Sequence, residues 1–167
     1  PEYLIAGELA RLIPVSTRPE LKNTSATCAI LMAVDEFADT LLSSIGAPTG
    51  KRAKTQVWLE PVFKSVKNAN KDRPDALVIV NNGRREWRAL VEAKARNAIL
   101  DASQIERYLD IAKENSIDAV LSISNQFVAT PTQSPCNINR QKLKKVGLFH
   151  WSWSYLQTEA KIQLSKS

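Results

Sequence analysis

Apolar positions recur at helical spacing from about Ala26 to Ile45, through Ile30, Leu31, Val34, Phe37, Ala38, Leu41 and Leu42. Gly46 and Pro48 end that run, as residues that do not continue a helix. The spacing predicts a helix there, with a shorter one before it around Ala6 to Leu12 and a loop after it, GAPTGKRAK, with a basic end. From Gln56 to Lys64 the pattern becomes that of a strand, carried by Val57, Trp58, Leu59, Val62 and Phe63. Pro61 inside that strand predicts an edge or a bulge, because proline donates nothing to a ladder. Asp75 to Val80 reads as a second strand, Asn81, Asn82 and Gly83 as a hairpin turn, and Trp87 to Lys94 as the returning strand.

The period then changes. Ile105, Tyr108, Leu109 and Ala112 form one stripe of a helix between Asp101 and Asn115, and AVLSI, Ala119 to Ile123, is a short buried strand. Strand, helix and buried strand predict a right-handed crossover with parallel pairing. Thr130 to Asn139 is a polar, proline-containing loop, Val146 to Trp151 a further strand, and Ser154 to Leu164 a final helix. Ser154 and Gln157 have the spacing of a capping box. Trp151 and Trp153 share a face if that last strand continues through them, which suits core packing. The order is α-β-β-β-α-β with a β-α tail. It predicts a single α/β domain over residues 1–167, with a mixed central sheet flanked by helices. Its core runs over about 26–125, with a C-terminal strand-helix extension over about 140–165.

Composition narrows the function more by exclusion than by indication. The 167 residues suffice for one domain with a real core. The formal charge of +6 favours an anionic partner, of which nucleic acid is the commonest. Two cysteines, Cys28 and Cys136, form no CxxC pair and no disulfide framework; free thiols fit a reducing cytoplasm. The single histidine, His150, excludes HExxH and most histidine-rich metal sites. It lies in a tryptophan-rich run and reads as a core or surface histidine. No signal peptide is visible, and the longest apolar runs, such as CAILMAV, are far shorter than a membrane span. The expectation is a cytoplasmic protein without a membrane partner.

Charges stand out inside the strands. Glu92 and Lys94 are two apart, so they share a strand face about 6.6 Å apart along the chain. Asp75 opens the strand that the Asn81–Gly83 turn joins to theirs, so an antiparallel hairpin brings Asp75 beside them. Buried charges are costly unless they are paired or hold a metal. Two carboxylates and a lysine at the mouth of a sheet suit metal-assisted phosphodiester hydrolysis. Hard divalent cations prefer carboxylate oxygen, and a bound cation can polarise a phosphate and activate water. A salt bridge from Asp75 to Arg73 or Lys94, with Glu92 and Lys94 as a strand-end ion pair, is the structural alternative.

Pro74 and Asp75, followed by Glu92, Ala93 and Lys94, resemble the P-D…(D/E)-x-K signature of the PD-(D/E)XK nuclease superfamily. The element order is similar to that superfamily's restriction endonuclease-like α-β-β-β-α-β core. Gln104 and Tyr108, four apart on the next helix, resemble the QxxxY motif of its RecB-like branch. The resemblance covers roughly residues 29 to 125. It implies a metal-dependent nuclease, most readily acting on DNA and leaving a 5′-phosphate. Asp75 and Glu92, with the Ala93 carbonyl, would hold Mg²⁺ or Mn²⁺, and Lys94 would be the catalytic lysine. Gln104 would steady the site or touch phosphate, with Tyr108 behind it. Many members add an acid from the first core helix; Glu36 is the choice here, ahead of Asp35 and Asp39, with Glu60 a further candidate on the first strand. The superfamily includes dimers, so a homodimer stays open.

Each residue has a structural alternative. Gln104 stands at capping-box spacing from Asp101, and Tyr108 lies on the apolar stripe. Glu36 suits a solvated helix face equally. Lys51, Arg52 and Lys54, then Arg84, Arg85 and Arg88, then Arg96, cluster near the site in sequence and could form a phosphate track or a solvated surface. Lys142, Lys144 and Lys145 could extend such a track. The alternative function is a nucleic-acid-binding or protein-interaction domain that keeps the fold without turnover.

Overall fold

The chain is seen in a computed structural model that describes residues 1–10, 27–65 and 73–166. Its strands are β1 (Leu4–Leu9), β2 (Lys54–Phe63), β3 (Ala76–Asn81), β4 (Glu86–Ala93), β5 (Ala119–Ser124) and β6 (Gly147–Ser152). Its helices are α1 (27–33), α2 (Asp35–Ser43), α3 (Ala102–Glu114) and α4 (Trp153–Lys166), with a 3₁₀ turn at Arg140–Lys144. The strands form one mixed sheet in the order β1-β2-β3-β4-β5-β6. β1 to β4 are antiparallel, and β4, β5 and β6 run parallel. The predicted meander, the change to parallel pairing after α3 and the mixed α/β sheet are all present.

Side-chain alternation decides what covers each face. Ala76, Val78 and Val80 of β3 and Ala89, Val91 and Ala93 of β4 pack into a core with Cys28, Leu31, Phe37, Leu41, Leu42 and Leu156, from α1, α2 and α4. Leu77, Ile79 and Leu90 point the other way, into a second core with Ile105, Tyr108, Leu109 and Ala112 of α3. By the same alternation Asp75, Glu92 and Lys94 belong to the α3 face. Among the described residues, no helix is long and apolar enough to cross a membrane.

Several elements differ from the sequence expectation. Residues 4–9 form the edge strand β1 instead of the start of a helix over Ala6 to Leu12; residues 11 and 12 lie outside the described part. Isolated propensity is a weak prior there, and pairing along β2 overrides it. β1 covers the flank of β2, so Pro61 marks a bulge and not an edge. The β1–β2 register shifts between Ala6 and Glu8, opposite Glu60 and Pro61, and Glu60 sits at φ 46. The long first helix is broken at Val34, whose backbone is extended (φ −124, ψ 95). Val34 still donates to the Ile30 carbonyl at 3.0 Å, and its own carbonyl accepts from Ala38 at 3.0 Å. Asp35 and Glu36 then begin a new first turn, where negative charge suits the helix dipole.

The hairpin loop is longer than the Asn-Gly signal alone suggested. Asn81 pairs with Glu86, leaving Asn82 to Arg85 as the loop. The Asn82 side chain accepts from the N–H groups of Arg84 and Arg85, each at 3.0 Å. The final helix starts at Trp153, so Ser152 rather than Ser154 caps it, accepting from the Tyr155 N–H at 3.1 Å. Trp153 therefore leaves the strand: Trp151 is fully buried in the core, and Trp153 packs against it half-buried.

Candidate active site

Asp75 lies one residue before β3, where the β2–β3–β4 ladder ends. Its N–H donates to the Val91 carbonyl at 3.0 Å, and its carbonyl accepts from the Glu60 N–H at 2.8 Å. Its Oδ2 accepts from the Ala93 N–H at 2.7 Å. The carboxylate thus completes the ladder where the backbone of β3 stops, and one of its oxygens is fixed against the last residue of β4. Glu92 is adjacent on that strand. It is 3% exposed, and it is the one acidic side chain in the buried set among the described residues. Lys94 Nζ donates to Glu92 Oε1 at 2.7 Å. The hairpin geometry predicted for Asp75, Glu92 and Lys94 is present.

α3 braces this corner from below. Asp101 caps the helix, accepting from the Ser103 N–H at 2.9 Å. The Gln104 side chain does not reach back to the cap; its Nε2 donates to the Tyr108 hydroxyl at 3.0 Å. That hydroxyl donates in turn to the Arg73 carbonyl at 3.0 Å. Gln104 and Tyr108 therefore hold the chain just before Pro74 and Asp75. Burial raises the Tyr108 pKa, and the charges of Glu92 and Asp75 raise it further. Its phenol stays protonated and serves as a donor. Arg73 closes the other side, its Nε donating to the Glu60 carbonyl at 2.9 Å, with its guanidinium 3.9 Å from the Glu60 carboxylate.

The remaining sequence candidates fall elsewhere. Glu36, Asp35 and Asp39 line a pocket with Lys51 and Thr55. Thr55 pairs with Val80, at the far end of β3 from Asp75. Five steps of strand, Ala76 to Asn81, separate the two ends by roughly 17 Å. Lys51, Arg52 and Lys54 are exposed at that far end, as are Arg84 and Arg85 on the hairpin loop. Arg88 is occupied structurally: it pairs with Glu86 at 2.9 Å and lies 4.9 Å from the Tyr3 ring centre. Lys142 pairs with Asp110 at 2.6 Å. Of the proposed basic track, Arg96 alone follows Lys94 at the site's own end of the sheet. Among the described residues, no three His, Cys, Asp or Glu side chains form a group able to hold a metal.

Three features of this corner were not legible in the sequence. Trp153 Nε1 donates to the Lys94 carbonyl at 2.8 Å, across 59 positions. Cys28 of α1 is near enough to Asp75 that the carboxylate adds to the rise of its thiol pKa, which burial pushes up to about 12. A row of buried polar residues also runs from Glu92 across the parallel strands: Glu92 pairs with Ser122, and Ser122 with His150. His150 is 1% exposed, which settles the core reading. Its Nδ1 lies 2.9 Å from Ser122 Oγ, and its Nε2 lies 2.8 Å from the Gln126 carbonyl. Since a carbonyl only accepts, Nε2 carries the hydrogen and Nδ1 accepts from Ser122. Burial lowers the His150 pKa, consistent with this neutral form.

The donor chemistry at the corner suits a hard divalent cation: two carboxylates from neighbouring strands, close to the backbone at Ala93. No family model, curated protein or solved structure matches the chain.

Proposed function

We propose that this protein is a metal-dependent nuclease of the PD-(D/E)XK type, with a restriction endonuclease-like core, acting on DNA. The observation that carries the reading is Glu92, a carboxylate 3% exposed, held 2.7 Å from Lys94 beside an Asp75 that is hydrogen-bonded to Ala93 at 2.7 Å. A fold has little reason to bury that carboxylate for stability, since apolar residues of similar volume do as well or better than buried ion pairs. Asp75 and Glu92 would hold Mg²⁺ or Mn²⁺, with the Ala93 carbonyl as a further oxygen. The ion supplies Lewis-acid polarisation of the phosphate and a more acidic water. Lys94 orients the attacking water through its ammonium group and offsets negative charge that develops on the phosphate. Gln104 and Tyr108 act on the chemistry by position: through Arg73 and Pro74 they fix where Asp75 begins, and the Tyr108 hydroxyl also stands within hydrogen-bonding reach of the Glu92 carboxylate.

The second reading is a nucleic-acid-binding or interaction domain without turnover. It draws on the same ion pair, because Lys94 satisfies Glu92 without any metal. Cleavage of labelled single- and double-stranded DNA with Mg²⁺ or Mn²⁺ separates the two. The wild type is expected to cut, while Asp75→Ala and Lys94→Ala, shown to be folded by circular dichroism, are expected to lose at least a hundredfold in rate. An inert wild type that still binds DNA selects the second reading. Variants that cut like the wild type remove Asp75 and Lys94 from the chemistry.

A further inference from the structure

A groove of about 600 Å³ opens where β4 ends, lined among others by Phe37, Arg96, Asn125, Trp153, Leu156 and Gln157. Its volume falls within the range of sites that hold small organic ligands. It lies on the α1–α2–α4 side of the sheet and is joined to the proposed site by the chain itself, since Ala95 and Arg96 directly continue β4 beyond Lys94. Two hydrogen bonds set its walls. Trp153 spends its indole N–H on the Lys94 carbonyl at 2.8 Å, which fixes the plane of a ring that also lines the groove. The Asn125 amide donates to the Arg96 carbonyl at 2.6 Å and holds Arg96 in a left-handed conformation, φ 53.

The lining chemistry is not that of a phosphate track. A track needs several cations, and among the described lining residues Arg96 is the one cation. The others are two aromatic rings, aliphatic surface, the Thr27 hydroxyl and two side-chain amides, those of Asn125 and Gln157. Aromatic faces stack bases, and amides read base edges. A paired base offers neither its face nor its pairing edge, whereas an unpaired one offers both.

We infer that this groove seats one unpaired nucleotide next to the scissile phosphate, with its base against Trp153 and its phosphate toward Arg96. The substrate is then a single strand, or a duplex with an unpaired or displaced nucleotide at the cut. This rests on the nuclease reading and adds a substrate class to it.

The test is fluorescence anisotropy without divalent cation, so that nothing is cut, using oligothymidylate and a blunt duplex of equal length. Two variants perturb the groove from α4: Gln157→Ala removes an exposed amide, and Ala160→Leu narrows the space. The wild type is expected to bind the single strand at least tenfold tighter than the duplex. Both variants are expected to weaken single-strand binding fivefold or more, with duplex binding changed less than twofold and the melting temperature kept. Equal affinity of the wild type for the two forms, or variants that bind the single strand like the wild type, overturns the inference. If the wild type still cuts DNA in that case, the nuclease reading survives without the groove; if it neither binds nor cuts, both fall.

Discussion

The Tyr108 hydroxyl accepts from Gln104 and donates to the Arg73 carbonyl, each at 3.0 Å, in a position with no exposure at all. Tyr108→Phe keeps the ring and deletes both bonds together with the hydroxyl's contact to Glu92. The expected cost is about 1–2 kcal/mol in urea unfolding, because two partly buried partners lose their hydrogen-bonding mate. For the nuclease, kcat is expected to fall several-fold with KM nearly unchanged, since Tyr108 positions Asp75 and does not touch substrate. At the same scale, Asp75 and Glu92 make a prediction independent of cleavage. A ligand that binds only the folded state raises its stability by mass action. Mg²⁺ at about a hundred times its Kd is expected to raise the melting temperature by roughly 5–10 °C. Asp75→Ala and Glu92→Ala should abolish that rise, read by calorimetry; a rise that survives both substitutions moves the ion elsewhere.

Elements are set by backbone chemistry at few points. Gly83 occupies φ 85 in the hairpin loop, a region that costs a residue with a side chain. Nothing lies within 4 Å of an added Cβ there, so the cost is conformational and not steric. Gly83→Ala is expected to destabilise the protein by about 1 kcal/mol in urea, while leaving the ladder end at Asp75 intact and any cleavage rate unchanged. A large loss of activity would mean that the hairpin turn communicates with the site five residues of strand away. The second element-scale device is Ser152, which closes β6 and caps α4 in one residue. It sets where α4 begins, and hence puts Trp153 in reach of Lys94.

At the scale of the whole molecule, burial of titratable groups limits the pH range in which the fold is stable. His150 is held neutral, below its ordinary value of 6.5. Below that pH the unfolded chain takes a proton that the folded one refuses, so stability falls as pH falls. Cys28 behaves in the opposite sense. Its thiol rises from 9.0 to about 12, so above 9 the unfolded chain releases a proton that the folded one keeps. Stability then falls by about 1.4 kcal/mol per pH unit up to the folded value. The raised Tyr108 phenol adds to that alkaline loss. Thermal melts across pH are therefore expected to peak between about 6.5 and 9, and Cys28→Ala is expected to flatten the decline above 9. An unchanged decline in that variant would assign the alkaline loss to the tyrosines.

Period and punctuation in the sequence determined β2 to β5, α3 and the β6–α4 tail, because two-residue and helical repeats follow directly from burying one face of each element. Hairpin topology alone also placed Asp75 beside Glu92 and Lys94, since the start of one antiparallel strand must lie by the end of the next. Tertiary structure decided the rest. β1 is a strand only because the flank of β2 offers it partners, and Val34 breaks a pattern whose periodicity is continuous. Glu36 and all but one of the basic residues proposed as a phosphate track stand away from the site, because nearness along the chain says nothing about which end of a strand a loop occupies. Trp153, Cys28 and the Ser122–His150 pair reach the corner from positions far off in sequence. Such contacts arise when four helices and six strands close on one another, and no local pattern encodes them.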